Sequence, residues 1–110
     1  MRQPIVTEEQ VHDAMEFLNN TVGEVARVTT EAKRAEYMVK HRLALEMKKH
    51  EGSNALQERE ARASAAYLEA CERDAVAAGE LAKYRAEREV KQIIIEVWRS
   101  QGANQRGMRP

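Results

Sequence analysis

The stretch Lys48-Lys49-His50-Glu51-Gly52-Ser53-Asn54 carries the signals of a helix end followed at once by a helix start. Lysines favour the negative C-terminal end of a helix, and Gly52 can adopt the left-handed conformation that follows a helix C-cap. Ser53 and Asn54 are both preferred N-cap residues for a second helix. The stretch therefore predicts a tight turn at residues 51–54 that reverses the chain.

Upstream of this turn, the pattern predicts one helix over about residues 8–50. Thr7 and Gln10 have the spacing of a capping box, and Val6 and Val11 have the spacing of a hydrophobic staple. Residues 19–23 include poor helix formers, so the sequence leaves open a break near Asn20.

Apolar or small residues recur along this first helix in alternating steps of four and three, which predicts a coiled-coil seam interrupted at Glu36. The predicted seam consists of Val11, Met15, Leu18, Val22, Val25, Thr29, Ala32, Val39 and Leu43.

Downstream of the turn, a second helix is predicted over about residues 54–100, and a break near Ser64 is left open. Its predicted seam consists of Ala63, Tyr67, Ala70, Asp74, Ala77, Leu81, Tyr84, Arg88, Ile95 and Trp98. A second stripe, which we expect to widen the buried face, consists of Gly79, Ala82, Ala86, Val90, Ile93 and Val97. Gly102 and Gly107 predict a flexible basic tail over 101–110, and residues 1–7 form an N-terminal arm.

The fold class predicted from these patterns is all-α: a long antiparallel two-helix hairpin, coiled-coil-like, that assembles into a helical bundle. One hairpin seam cannot cover all the apolar side chains, so we expect a homo-oligomer, with a dimer favoured. Helices that curve over their own apolar residues, or three or four shorter helices, are the alternative. The side chains expected at the interface are Phe17, Met38, Leu45, Ile94, Val97 and Trp98.

Charge gives no general attraction to nucleic acid or anionic lipid, because 18 Lys and Arg residues balance 18 Asp and Glu residues. A signal peptide and a membrane span are not expected, and a single cysteine fits a reducing compartment. These features predict a cytoplasmic protein without membrane association. Local nucleic-acid binding is the hypothesis for a cluster of basic residues, namely Lys40, Arg42, Lys48, Lys49, Arg106 and Arg109.

Catalysis is not expected from this sequence. The three histidines and Cys71 have none of the spacings of a zinc site, and no glycine-rich phosphate loop is present. Cys71 lies between Ala70 and Glu72 and is interpreted as a small packing residue rather than a nucleophile. The prediction is a non-enzymatic protein without catalytic residues, metal ligands or cofactors.

The C-terminal run Ile95-Glu96-Val97-Trp98-Arg99-Ser100-Gln101-Gly102-Ala103-Asn104-Gln105-Arg106, following Tyr84-Arg85-Ala86-Glu87-Arg88, resembles the ending of small helical proteins of tailed phages and prophages. Lys33-Arg34-Ala35-Glu36-Tyr37 and Glu51-Gly52-Ser53 fit the same pattern. Such proteins are often encoded near recombination and replication genes.

The resemblance implies an accessory or interaction protein that assists phage DNA metabolism through phage or host protein contacts, in the bacterial host cytoplasm. Direct nucleic-acid binding and a role as a virion assembly or scaffold component are the alternative hypotheses.

Overall fold

The described part of the chain is helical throughout apart from short connections. A computed structural model describes residues 5–107, with only the backbone at residues 105 and 106. Its four helices are α1 (Glu8–Asn20), α2 (Val22–Met47), α3 (Asn54–Arg62) and α4 (Ala65–Gly107), and no strand occurs within 5–107. The all-α prediction is confirmed, whereas each of the two predicted helices is divided in two.

The first helix begins as its capping box predicts. Thr7 Oγ1 accepts a hydrogen bond from the Gln10 amide at 3.2 Å, and Gln10 Oε1 accepts one from the Thr7 amide at 2.9 Å. Val6 and Val11 are both buried, as the hydrophobic staple requires.

The predicted helix 8–50 breaks at Thr21, the alternative that the sequence left open. The Thr21 hydroxyl donates to the Phe17 carbonyl at 2.7 Å, and its backbone has φ −102° and ψ 4°, outside the helical range. The Phe17 carbonyl also accepts from the Thr21 backbone amide at 3.1 Å, so the hydroxyl adds a second hydrogen bond at this break. α2 begins at the next residue.

The turn forms where it was predicted, although α2 ends at Met47 rather than near His50. Gly52 has φ +111°, and Ser53 caps α3 by accepting a hydrogen bond from the Leu56 amide at 3.2 Å. Lys49 and His50 donate to carbonyls three residues earlier, which tightens the end of the helix.

The predicted helix 54–100 also breaks, at Ser64. Its hydroxyl donates to the Ala61 carbonyl at 2.7 Å and accepts from the Tyr67 amide at 3.2 Å. One side chain therefore ends α3 and begins α4, which explains how two helices meet with only Ala63 and Ser64 between them.

The prediction of a flexible tail from residue 101 is wrong as far as Gly107, because α4 continues to that residue. A glycine inside a helix costs only about 1 kcal/mol. Gln101 anchors these turns: its Oε1 accepts from the Val6 amide at 2.8 Å, and its Nε2 donates to the Val6 carbonyl at 3.0 Å. Residues 1–4 of the predicted arm and residues 108–110 of the predicted tail lie outside the described residues.

The chain divides into two compact units. Unit 1 comprises Met1–Val25 and Lys83–Pro110, and unit 2 comprises Ala26–Ala82. In unit 1, α1 packs antiparallel to the end of α4, since Val6 bonds to Gln101 while Leu18, further along, bonds to Arg88. In unit 2, α2 runs opposite to the start of α4, with Arg27 paired to Glu80 at 3.2 Å and Met38 beside Ala70.

The seam predicted for the first helix is correct at six positions and shifted by one residue at the three others. Val11, Leu18, Val25, Ala32 and Val39 are buried or half-buried as predicted. Leu43 is also half-buried as predicted. Ala14 and Val28 are buried in place of Met15 and Thr29, and Thr21 is half-buried in place of Val22. Met15 is 57% exposed whereas Ala14 is fully buried, because a small residue lets the helix backbones approach.

The α4 seam is half-buried at every predicted position from Tyr67 to Trp98, whereas Ala63 is exposed. Within the single chain the second stripe does not widen this face, because Gly79, Ala82, Ala86, Val90 and Ile93 are exposed while Val97 is half-buried. Residues two apart in a helix lie about 200° apart around its axis, so Ile93 points away from the seam that contains Ile95.

Candidate interaction surfaces

The basic residues proposed for nucleic-acid contact are partly neutralised by a single carboxylate. Glu46 has a side chain only 5% exposed, and it pairs with Lys49 at 3.0 Å and Arg42 at 3.8 Å. A buried carboxylate without such cations would be strongly destabilising, so these two side chains have a structural role. Lys40 and Lys48 are exposed and form no ion pair within the described structure. Arg106 and Arg109 lie outside the residues whose side chains are described.

In unit 1, the predicted interface residue Phe17 is half-buried at the edge between α1 and α4. The Lys91 ammonium lies 5.5 Å from the centre of the Phe17 ring, within cation–π range. Both residues line a shallow hollow of about 250 Å³ with Val90 and Glu87. Phe17 is therefore accessible from solvent beside a partly apolar stretch of α4.

Trp98 is also half-buried in unit 1 and lines a second, open hollow of about 500 Å³. The hollow contains the apolar residues Val11 and Met15, and its remaining residues are Glu8, Glu9 and His12. Ile94 and Val97 are half-buried on the same helix. The indole thus lies beside α1 residues, and the open hollow leaves one side of it accessible.

In unit 2, the predicted interface residue Met38 is 47% exposed beside a hollow of about 200 Å³. Three alanines from α2 and α4 form its apolar surface, and three charged side chains complete it. The lining residues are Ala35, Met38, Arg42, Ala66, Glu69, Ala70 and Arg73. Leu45 is half-buried elsewhere on α2. Met38 thus projects beside an apolar hollow formed by Ala35, Ala66 and Ala70. We call these four residues the Met38 surface.

Arg88 has a role that the sequence pattern did not reveal, although the residue was placed in the seam. Its Nη1 donates to the Leu18 carbonyl at 2.9 Å and to Thr21 Oγ1 at 2.6 Å. The guanidinium therefore satisfies polar groups at the break between α1 and α2. The poor helix formers around Asn20 and Thr21 indicated a possible break in the sequence. They did not indicate that Arg88 would donate hydrogen bonds there.

A polar cluster lies where α3 meets α4. Arg62 bonds to Glu58 at 2.8 Å and donates to the Tyr67 hydroxyl at 3.1 Å. Hydrogen bonding to Glu58 and the field of Tyr67 raise the pKa of Arg62. A hydrogen bond with Cys71 and then desolvation raise the pKa of Tyr67 above its ordinary value. Among residues 5–107, no group of three His, Cys, Asp or Glu side chains is arranged as a metal site.

Among α1 to α4, within residues 5–107, none contains an apolar segment of the length that a membrane span requires. In comparisons with known proteins, no family model, no curated protein and no solved structure matches this chain.

Proposed function

We propose that the chain is a non-enzymatic interaction protein, an antiparallel helical hairpin that associates with a second copy of itself into a helical bundle. The antiparallel packing observed inside each unit supports the hairpin. The observation that carries the proposal is the exposure of large apolar side chains on helices whose other face is already packed. In unit 2 these are Met38, 47% exposed, Leu68, 57% exposed, and Val76, 62% exposed.

Self-association in unit 2 is best supported at the Met38 surface. A two-fold axis places the same patch of each copy against the other, so a self-complementary patch needs both a projection and a receptor. Met38 supplies a flexible apolar projection, and Ala35, Ala66 and Ala70 leave room beside it. A dimer formed here buries methionine against alanine, with Arg42, Glu69 and Arg73 at the polar edge.

Sedimentation velocity tests this assignment with two variants of adjacent residues. Met38→Asp places a carboxylate in the proposed apolar contact, so we expect the dimer to dissociate at micromolar protein concentration. Tyr37→Asp is the matched control, since Tyr37 is 61% exposed and lies about 100° around α2 from Met38. A wild-type chain that sediments as a monomer, or equal dissociation in both variants, would contradict a contact at Met38.

The biological role that we propose, assistance to phage DNA recombination or replication through protein contacts, is supported by the resemblance of the helical segments to phage proteins. Deleting the gene from its phage and measuring recombination and DNA replication during infection tests that role. We expect a reduction that a plasmid copy of the wild-type gene restores and a Met38→Asp copy does not.

Direct nucleic-acid binding is the second candidate, supported by the exposed ammonium groups of Lys40 and Lys48. It should give affinity that falls steeply with salt concentration, because phosphate contacts release counterions. Changing both lysines to Glu removes such binding without disturbing the Glu46 ion pairs.

A further inference from the structure

A row of apolar residues on α4 in unit 1 is not covered by any of the helices that the structure describes. It consists of Ala86, Val90, Ile93 and Val97, and we call it the outer stripe. Val90 is 53% exposed and Ile93 is 51% exposed, Ala86 is exposed and Val97 is half-buried. The steps of four, three and four residues match the spacing of a coiled-coil seam. The outer stripe therefore has the pattern of a helix-binding face.

Ile93, in the middle of the outer stripe, lies on the side of α4 opposite to α1, whereas Val90 borders the hollow beside Phe17. Arg88 reaches α1 at Leu18, and Ile93 and Ile95 lie about 200° apart around the helix axis. Since α1 packs on the seam of Arg88 and Ile95, it does not cover Ile93. A helix with two heptad faces can pack against one helix within its own unit and against a second one from outside.

Carboxylates flank the outer stripe on both edges. Glu89 and Glu96 each precede an apolar stripe residue, and Glu87 lies on the other edge. None of the three forms an ion pair within the described structure, although Arg85, Lys91 and Arg99 lie within about one turn of them. In a coiled coil these flanking positions select the partner by charge.

Flanking carboxylates disfavour a second copy of α4 on this stripe. In an antiparallel pair, Glu89 and Glu96 of the two copies would oppose each other as like charges. In a parallel pair, Glu89 would face Ile94 of the other copy and Glu96 would face Gln101, so neither carboxylate would gain a cation. A helix with basic flanking residues gives each carboxylate a partner.

We infer that the outer stripe binds an amphipathic helix of another protein, with apolar residues at heptad spacing and Lys or Arg on both flanks. The inference rests on the proposed role as an interaction protein and names the class of partner for unit 1. Self-association belongs to the Met38 surface in unit 2, so the two kinds of contact can be tested separately.

Two synthetic helical peptides provide the probe, both with leucine at heptad spacing, one flanked by lysine and the other by glutamate. Fluorescence anisotropy of labelled peptide measures binding to the full chain. We expect the Leu/Lys peptide to bind, with affinity that falls as salt concentration rises, and the Leu/Glu peptide not to bind.

Variants then locate the contact. Ile93→Ser should weaken Leu/Lys binding by about tenfold or more, because it removes a large apolar contact at the centre of the stripe. The double variant Glu89→Lys with Glu96→Lys should reverse the preference toward the Leu/Glu peptide. Leu68→Ser, an equally exposed leucine on α4 in unit 2, is the control and should leave binding unchanged. Circular dichroism and the emission of Trp98, the single tryptophan, confirm that each variant remains folded.

The outcomes separate this inference from the proposed self-association. Binding by Met38→Asp while that variant is monomeric supports the outer stripe independently of the dimer. Equal binding of the two peptides, binding of neither, or binding that survives Ile93→Ser overturns the inference. Conversion of a wild-type dimer to a monomer by Ile93→Ser overturns it as well, since the stripe would then be a contact between copies.

Discussion

Arg88 occupies a seam position in α4 where a coiled coil ordinarily has an apolar residue. Its guanidinium donates to the Leu18 carbonyl and to the Thr21 hydroxyl oxygen, at the break between α1 and α2. A part-buried carbonyl without a donor costs free energy, so this charge in the seam compensates for an irregularity in the facing helix.

Arg88→Met keeps an unbranched stem of similar length but removes both hydrogen bonds. We expect the free energy of unfolding to fall by about 1 to 3 kcal/mol, the cost of leaving a part-buried acceptor unsatisfied. Urea denaturation followed by circular dichroism measures the change. Arg85→Met is the control, because Arg85 is exposed, and a similar loss in both variants would show that the Leu18 and Thr21 contacts contribute nothing specific.

Tyr67, in the first turn of α4, has a pKa that its neighbours at the junction with α3 raise. Its hydroxyl accepts from Arg62 at 3.1 Å, and hydrogen bonding to Cys71 is the largest cause of its raised pKa. Arg62 acts in the opposite direction, because a nearby cation favours the phenolate. The hydrogen bond with Cys71 and the desolvation of the phenol outweigh the effect of Arg62, so the pKa of Tyr67 is raised.

The raised pKa of Tyr67 predicts a loss of stability in alkaline solution. Because the folded chain holds the phenol proton more tightly than the unfolded chain, this contribution is present below the unfolded pKa, about 10, and is lost as pH rises through the higher folded pKa. Ultraviolet absorbance at alkaline pH should show one tyrosine ionising late. Tyr67→Phe should remove that step, and Cys71→Ala should move it to lower pH; no movement would contradict the role of Cys71.

At the scale of elements, three short connections determine where the helices begin and end. Thr21 and Ser64 interrupt helices through side-chain hydrogen bonds to carbonyls one turn earlier, whereas Gly52 does so through its backbone conformation. At Thr21 and Ser64 the chain is helical again within one or two residues of the break. Within residues 5–107, only Gly52 has a positive φ.

Gly52→Ala should destabilise the chain by about 1 to 2 kcal/mol, because a side chain is disfavoured at positive φ. The added Cβ would also lie 2.9 Å from Leu56 Cδ2, so the leucine would have to move. Thermal unfolding followed by circular dichroism measures the shift. Gly79→Ala is the matched control inside α4, where an added Cβ meets nothing within 4 Å, and it should be neutral or stabilising.

At the scale of the whole molecule, few side chains are fully buried for a chain of this length. The buried apolar residues of the described chain are Val6, Val11, Ala14, Val28 and Ala61. Large apolar residues remain exposed in both units, among them Val76 and Ile93. Burying more of this surface by association would add stability on the order of 25 cal/mol per Å².

Association makes stability depend on protein concentration. If the chain is a dimer, its thermal midpoint should rise with concentration, by an apparent stabilisation of roughly 1.4 kcal/mol per mole of dimer for each tenfold increase. Differential scanning calorimetry over two decades of concentration measures this rise. Met38→Asp should abolish the dependence while Tyr37→Asp retains it, and a midpoint independent of concentration in the wild type would contradict self-association.

The helical class, the capping box at Thr7 and the turn at Gly52 were all predicted from the amino-acid sequence. These features depend on residues within a few positions of one another, so local hydrogen bonding and backbone preference are sufficient to specify them. The spacing along α4 likewise predicted which of its residues pack in the seam, from Tyr67 to Trp98.

Contacts between residues distant in the chain were decided by tertiary structure. Whether Ala14 or Met15 packs against α4 depends on how closely two helices approach, and both residues satisfy the heptad pattern. The hydrogen bonds of Gln101 to Val6 and of Arg88 to Thr21 join residues 95 and 67 positions apart, so no local pattern predicted them. Ile93 is exposed because α1 packs on the other face of α4. Periodicity along α4 alone does not determine which of its two apolar faces α1 contacts.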